Sequence, residues 1–355
     1  MTAVPNPDGA RGKGSDPTTR SAADGGPTKS PAIVSNDSFA MRLLRRFIQV
    51  AQALLPGRLH ERVRLTLFGS YLRGRLVAAR RNDGKWVCLT PGETDRLLYG
   101  PDHKRFNKNN FFPVMKDFVR PGSVVIDVGA SYGDEVIELS ELAGAEGLVY
   151  AFEPNPQSFE ALLETVRLNG LKNVICRHQA VGAKDSAIPL QERFLGSTSH
   201  YVEAGEDAET VACVAIDTLW REEIAPREVS FLKIDTDGFE LEVLRGASAM
   251  LAGNPACGVV AEYLPSVSYN GFQGRAVLDQ LDNAGFSLHR IQTGYRPIGP
   301  ADFDSLVEKI DDPLHMISHD LVLLPRREGA PAAERSEQEQ EAAKEVSEQG
   351  RTRPR

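Results

Sequence analysis

The stretch Val124-Val125-Ile126-Asp127-Val128-Gly129-Ala130-Ser131-Tyr132-Gly133 decides the fold. A short apolar run reads as a buried strand, and the helical spacing of Glu135–Leu142 follows directly. Gly129 allows a sharp turn and a close backbone approach. The helix start beyond it offers free N–H groups to an anion. The spacing Asp127-x-Gly129-x-x-x-Gly133 is not the Gly-x-Gly-x-x-Gly of dinucleotide sites. An acid two positions before the first glycine suits the ammonium of an amino-acid-bearing ligand.

Outward from this unit the pattern repeats. Leu148–Phe152 precedes a helical Gln157–Asn169, and Val174–Ala180 follows. After an irregular middle come Val229–Ile234 with Glu240–Leu251, then Val259–Tyr263 with Arg275–Ala284. Ser287–Ile291 and Asp320–Leu324 close the chain. Continuous Val/Ile/Leu strands joined by helices indicate an α/β fold with a mostly parallel sheet covered on both faces. Seven strands are expected, with one of the last two antiparallel.

Ligands of open α/β sheets gather at the carboxyl ends of the strands. Glu153 ends the second strand in Phe152-Glu153-Pro154-Asn155-Pro156, where an acid hydrogen-bonds ribose hydroxyls. Ribose binding alone does not separate NAD from S-adenosylmethionine; with Asp127-x-Gly129, the second is favoured. Gln179 and Ala180, at the end of the third strand, are placed to read adenine. His178 beside them suits a structural role as well as a catalytic one. The expected cofactor-binding set is Asp127, Gly129, Ser131, Gly133, Glu153, Gln179, Ala180 and Asp235.

The fourth strand ends in Lys233-Ile234-Asp235-Thr236-Asp237-Gly238-Phe239-Glu240. Methyl transfer from a sulfonium needs in-line alignment, and a hydroxyl acceptor needs a base. Asp235 is the first candidate base, Glu262 the second and His200, read in a loop, the third. Asp237 and Glu240 also suit the ordinary role of acids at a helix start. No metal is expected, because Asp235 and Asp237 alone are a weak cation motif. The Asn/Asp-Pro-Pro-aromatic signature of base amino-methylases does not occur.

The flanks differ in composition. Residues 1–37 are rich in Gly, Pro, Ser and Thr, and residues 326–355 are polar and charged; both are expected to be disordered. Residues 38–110 read as an N-terminal helix plus an accessory or cap region, and 111–325 as the main domain. In the helix, Phe39 to Leu55, the residues Phe39, Leu43, Phe47, Val50 and Leu54 form one stripe beside Arg42, Arg45 and Arg46. Such a helix lies on a membrane surface or packs its stripe on the main domain. Its shortness favours packing, and only weak peripheral membrane contact is expected.

The net charge of −8 argues against bulk attraction to nucleic acid. No run approaches the length of a membrane span, and no signal-peptide core is present, so the expected compartment is the cytoplasm. Cys88, Cys176, Cys213 and Cys257 are far apart and read as buried thiols rather than zinc ligands.

These motifs, in this order, resemble the FkbM family of methyltransferases. The likeness runs from about Phe111 to Leu324. It rests on Ile126–Gly133, on Phe152-Glu153-Pro154-Asn155-Pro156, and on Ala180-Val181-Gly182. Ile216-Asp217-Thr218-Leu219 and Lys233–Glu240 with Val243-Leu244-Arg245-Gly246-Ala247 complete it. Thr236-Asp237 stands where the family often has Val-Glu, and Ser131 where it often has Asn. The resemblance implies a Rossmann-like class I methyltransferase fold with S-adenosylmethionine as donor. It also implies O-methylation of a sugar or natural-product hydroxyl. The alternatives are an NAD-linked oxidoreductase or a non-catalytic binding protein on the same sheet.

Overall fold

The computed structural model describes residues 19–21, 32–35, 38–56, 59, 63, 66–67, 71–72, 74–81, 83–91, 111–192, 199–201, 209–236, 238–263, 268–269, 272–292, 294–307 and 319–325. The C-terminal tail and Asp237 lie outside these residues.

The strands in chain order are β1 (Thr19–Ser21), β2 (Ala32–Ser35), β3 (Arg75–Arg80), β4 (Trp86–Leu89), β5 (Val124–Val128), β6 (Leu148–Phe152), β7 (Val174–Arg177), β8 (Ala180–Val181) and β9 (Ser186–Glu192). They continue with β10 (Ser199–Tyr201), β11 (Glu209–Val214), β12 (Val229–Ile234), β13 (Gly258–Tyr263), β14 (Ser268–Tyr269), β15 (Phe272–Gln273), β16 (Phe286–Gln292), β17 (Gly294–Ile298) and β18 (His319–Pro325). The helices used below are α1 (Phe39–Leu54), α2 (Phe112–Phe118), α3 (Asp134–Ala143), α4 (Pro156–Asn169), α5 (Ile216–Leu219), α6 (Glu240–Arg245), α7 (Ser248–Gly253) and α8 (Arg275–Asn283).

The main sheet has nine strands in the order β1-β7-β6-β5-β12-β13-β18-β16-β17. Its inner seven are the strands expected from sequence. β5, β6, β7, β12 and β13 pair in parallel, and β18 runs antiparallel between β13 and β16. This is the doubly wound, Rossmann-like class I arrangement. Two edge strands add to it. β17 extends the terminal hairpin, and β1, from the stretch expected to be disordered, pairs with the open edge of β7. An edge strand needs only backbone groups as partners, so composition does not reveal it.

Alternation along the strands divides the core. Val124, Ile126, Val128, Leu232 and Ile234 face one cluster with Leu241, Leu244, Met250 and Leu278 of α6, α7 and α8. Val125, Phe231, Val149 and Ala151 face the other, with Met115 of α2, Val136 and Leu139 of α3, and Leu162 and Val166 of α4. Asp127 and Lys233 alternate onto this second side, toward the start of α3.

The turn after β6 is built by local chemistry. Asn155 accepts from Gln157 N and Ser158 N at 2.9 Å, Pro156 opens α4, and Gly170 ends it at φ +65°. Glu153 is thereby fixed just before a capped helix.

The accessory hairpin β3–β4 docks on the helices of the second side. Cys88 N donates to Thr165 Oγ1 at 2.9 Å, and Asn169 pairs with the backbone of Trp86 in both directions. Buried Arg81 donates to Asp134 O at 3.1 Å and pairs with Asp83 and Glu138. The region read as irregular holds a second sheet, β10-β9-β11-β8. Pro189 inside β9 and its polar neighbours hide that strand from pattern reading.

α1 corrects an expectation. Its buried face is Met41, Ile48 and Ala51, against Leu72 and Val77. The stripe Phe39, Leu43, Phe47, Val50 and Leu54, favoured to pack inward, is exposed. The helix is apolar on two sides, and the side opposite the obvious stripe makes the contact.

Candidate functional site

Register brings the expected residues to one end of the sheet. Lys233 lies beside Asp127, Ile234 beside Val128 and Ala261, and Phe152 beside Val128 and Arg177. One residue further on, Gly129, Glu153, His178, Asp235 and Glu262 therefore stand level at the carboxyl ends of five adjacent strands.

The loop after β5 is tightly built. Gly129 has φ +78°, and a Cβ there would sit 1.7 Å from Asp235 O. Ser131 follows at φ +47° and Gly133 at φ +84°, where a Cβ would meet Leu162 at 2.6 Å. Gly129 N and Ala130 N both donate to Phe152 O, and Asp235 N to Val128 O at 3.0 Å. Both glycines are thus required by conformation and by contact.

Glu153 is buried. Its Oε2 accepts from Ser131 N at 2.8 Å and its Oε1 from Asn155 N at 2.7 Å. Each oxygen keeps a second lone pair for ligand hydroxyls. Burial, partly offset by those two N–H groups, pushes the carboxyl up to about 7.

Lys233 is the centre of charge. Only 1% exposed, its Nζ lies 2.8 Å from Glu135, 3.3 Å from Asp127 and 3.6 Å from Asp235, and it donates to Gly129 O at 3.3 Å. Burial alone would lower its pKa, but the three carboxylates outweigh that and raise it. Burial raises Asp127 against the pull of Lys233, and raises Glu135 to about 8. Three acids thus surround one buried cation. Among the described residues, the Asp127 carboxylate has only the ion pair of its Oδ1 with Lys233, and buried Gln179 Oε1 has no hydrogen-bond partner. An ammonium near Asp127 and an adenine amino group near Gln179 would satisfy these acceptors, so the residues fit S-adenosylmethionine.

The other expected residues take different places. Ala180 is buried on β8. Glu262 lies on β13 in register with Asp320. His200 lies on β10 of the second sheet, not in a loop, paired in register with Gln191. His178 binds Pro154 O at 3.0 Å and stacks on Phe159, a structural engagement. Glu240 closes the turn after β12 by accepting from Thr236 N, Thr236 Oγ1 and Gly238 N. Glu135 was missed by sequence reasoning; its signal was an acid in the first turn of the helix that follows Gly129.

Residues 127–288 match the profile of the methyltransferase FkbM domain. This part of the chain is similar to FkbM methyltransferase domains. The cofactor that fits such a domain is S-adenosylmethionine. A similar protein is the hexuronic acid methyltransferase AglP of Haloferax volcanii, 29% identical over 129 residues, which are 36% of this chain and 51% of AglP. The chain thus spans about half the length of that relative. Among solved structures, a putative rRNA-methylase from Clostridium thermocellum aligns with TM-score 0.39 and 12% identity, over 62% of this chain and 98% of that one. Aeropyrum pernix fibrillarin, solved with S-adenosyl-L-methionine natively bound, aligns with TM-score 0.36 and 14% identity, over 68% and 91%.

Proposed function

We propose that this protein transfers a methyl group to a hydroxyl of a sugar, glycan or secondary metabolite. Residues 111–325 would form the catalytic unit. The observation that carries the reading is Asp235. It stands at the end of the central strand, its backbone against Gly129 and its carboxylate beside Lys233, in the row that also holds Glu153. The donor supplies an electrophilic methyl on a sulfonium. The chain's part is to hold the donor through Asp127, Gly129, Ser131, Gly133, Glu153, Gln179, Ala180 and Asp235, and to take a proton from the acceptor. Asp235 is one-third exposed, so a hydroxyl can reach it and its carboxylate can take that proton. Glu262, one strand over at the same level, is the second candidate; His200, on the other sheet, is the third.

AglP, by its name, methylates a hexuronic acid, and this favours a uronic-acid sugar as the first acceptor to test. Purified protein would be given methyl-labelled donor and a panel of neutral and uronic-acid glycosides. Labelled O-methyl product is expected, and Asp235→Asn should lower kcat about 100-fold. Donor binding by folded protein with no labelled glycoside, or label appearing only on nitrogen, would sink the hydroxyl reading.

A further inference from the structure

Among the described residues, every large apolar side chain that stands exposed lies between Ile33 and Leu59. Five of them, Phe39, Leu43, Phe47, Val50 and Leu54, recur every three or four residues and make one stripe along α1. Phe39 is 74% exposed and Leu54 75%, so the stripe is open from end to end. The opposite face of α1 already has its partners in Leu72 and Val77. Covering the stripe would therefore need a surface outside the described chain.

Charge indicates which surface. α1 carries three arginines and no acid, and Arg42 and Arg46 are exposed along one border of the stripe. Residues 38–80 contain nine arginines against one acid, Glu61, a net +8 within a chain of net −8. We propose that α1 docks in the plane of an anionic phospholipid bilayer. The stripe would sit at the headgroup–acyl boundary and the arginines on lipid phosphates. A nucleic acid would match the arginines but offers no place for five adjacent apolar side chains. A neutral apolar protein face would match the stripe but leave the arginines without counter-charge. Sixteen residues of helix, about 24 Å, fall short of a bilayer's apolar core, and no described helix is long and apolar enough to cross one. The helix therefore lies along the surface. This inference does not depend on the methyl acceptor.

The test uses the full chain and co-sedimentation with phosphatidylcholine vesicles, with and without phosphatidylglycerol. Binding should be at least about tenfold tighter to the anionic vesicles and should weaken at high salt. Leu43→Glu with Phe47→Glu should abolish it. Arg42→Gln with Arg46→Gln should weaken it about fivefold per arginine. All four positions are exposed, and unchanged donor binding in a calorimeter would show that each variant is folded. Four outcomes overturn the proposal: no binding of folded wild-type chain to anionic vesicles; binding unaffected by the two glutamates; a wild-type dimer that those glutamates dissociate, with no vesicle binding; or nucleic-acid binding that persists in the glutamate variant while vesicle binding is absent.

Discussion

Lys233 holds one positive charge among Asp127, Glu135 and Asp235 in a nearly dry setting. Breaking such a group by removing one partner costs about 3–5 kcal/mol, because the remaining charge stays buried and uncompensated. Lys233→Met should lose stability of that order in chemical denaturation, and adding Asp127→Asn should recover part of it. A loss below about 1 kcal/mol would show that the cation is not coupled to the acids. Glu153 makes the pH behaviour of the site opposite for folding and for binding. Its carboxyl sits at about 7 in the folded chain, above its ordinary value of 4.5. The folded state therefore holds the proton more tightly than the unfolded state, and that stability is lost as pH rises through about 7. In the proposed donor-binding role, ribose hydroxyls would donate to the ionised carboxylate, so donor affinity should rise over the same interval. Calorimetric titrations from pH 5.5 to 8 should show tightening up to neutrality. Glu153→Gln should flatten part of the slope, Glu135 at about 8 providing the rest. An equal slope in Glu153→Gln would remove Glu153 from the binding equilibrium.

At the scale of elements, the family motifs remote from the donor interlock as architecture. Asp217, from Ile216–Leu219, accepts from Ala249 N at 3.0 Å and Met250 N at 2.8 Å, capping α7. Asp217 N in turn donates to Gly246 O at 2.7 Å. A Cβ on Gly246 would lie 2.0 Å from Gly182 O, which belongs to Ala180-Val181-Gly182. Three motifs thus meet at one junction between the sheets. Asp217→Ala should cost about 1–2 kcal/mol, read as a lower Tm, with donor affinity within twofold of wild type; a large loss of donor affinity instead would place this junction in the binding site. Asp127, Gly129 and Glu153 were legible in the sequence because each sits at a fixed offset from a strand end. The Lys233 cluster was only half legible. Its cation and Asp235 share a strand, but Asp127 and Glu135 reach it through register and the direction of α3, which no local pattern contains. β9–β11 were hidden by Pro189 and by polar strands outside the main core.

At the scale of the whole molecule, the boundary expected at residue 111 cuts through packed surface. Ala79, Val87 and Leu89 of the accessory hairpin share one buried cluster with Met115, Val136 and Leu162. The polar ties from Arg81 to the start of α3, and from β4 to Thr165 and Asn169, run across the same boundary. Sequence reading separated the two because the hairpin precedes the α/β repeat and carries none of its motifs, while its apolar residues complete a face supplied by α3 and α4. The hairpin also touches the edge of the candidate site: Arg81 donates to Asp134 O at the first turn of α3, one residue before Glu135. A chain beginning at residue 111 would expose Met115 and its neighbours and leave Glu138 without its buried partner. It should melt several degrees below a chain beginning at residue 70, since losing even two buried aliphatic contacts is worth about 3 kcal/mol. It should also bind S-adenosylmethionine more weakly. Equal melting temperatures and equal donor affinity for the two truncations would instead make the hairpin a separable appendage and residue 111 a true domain boundary.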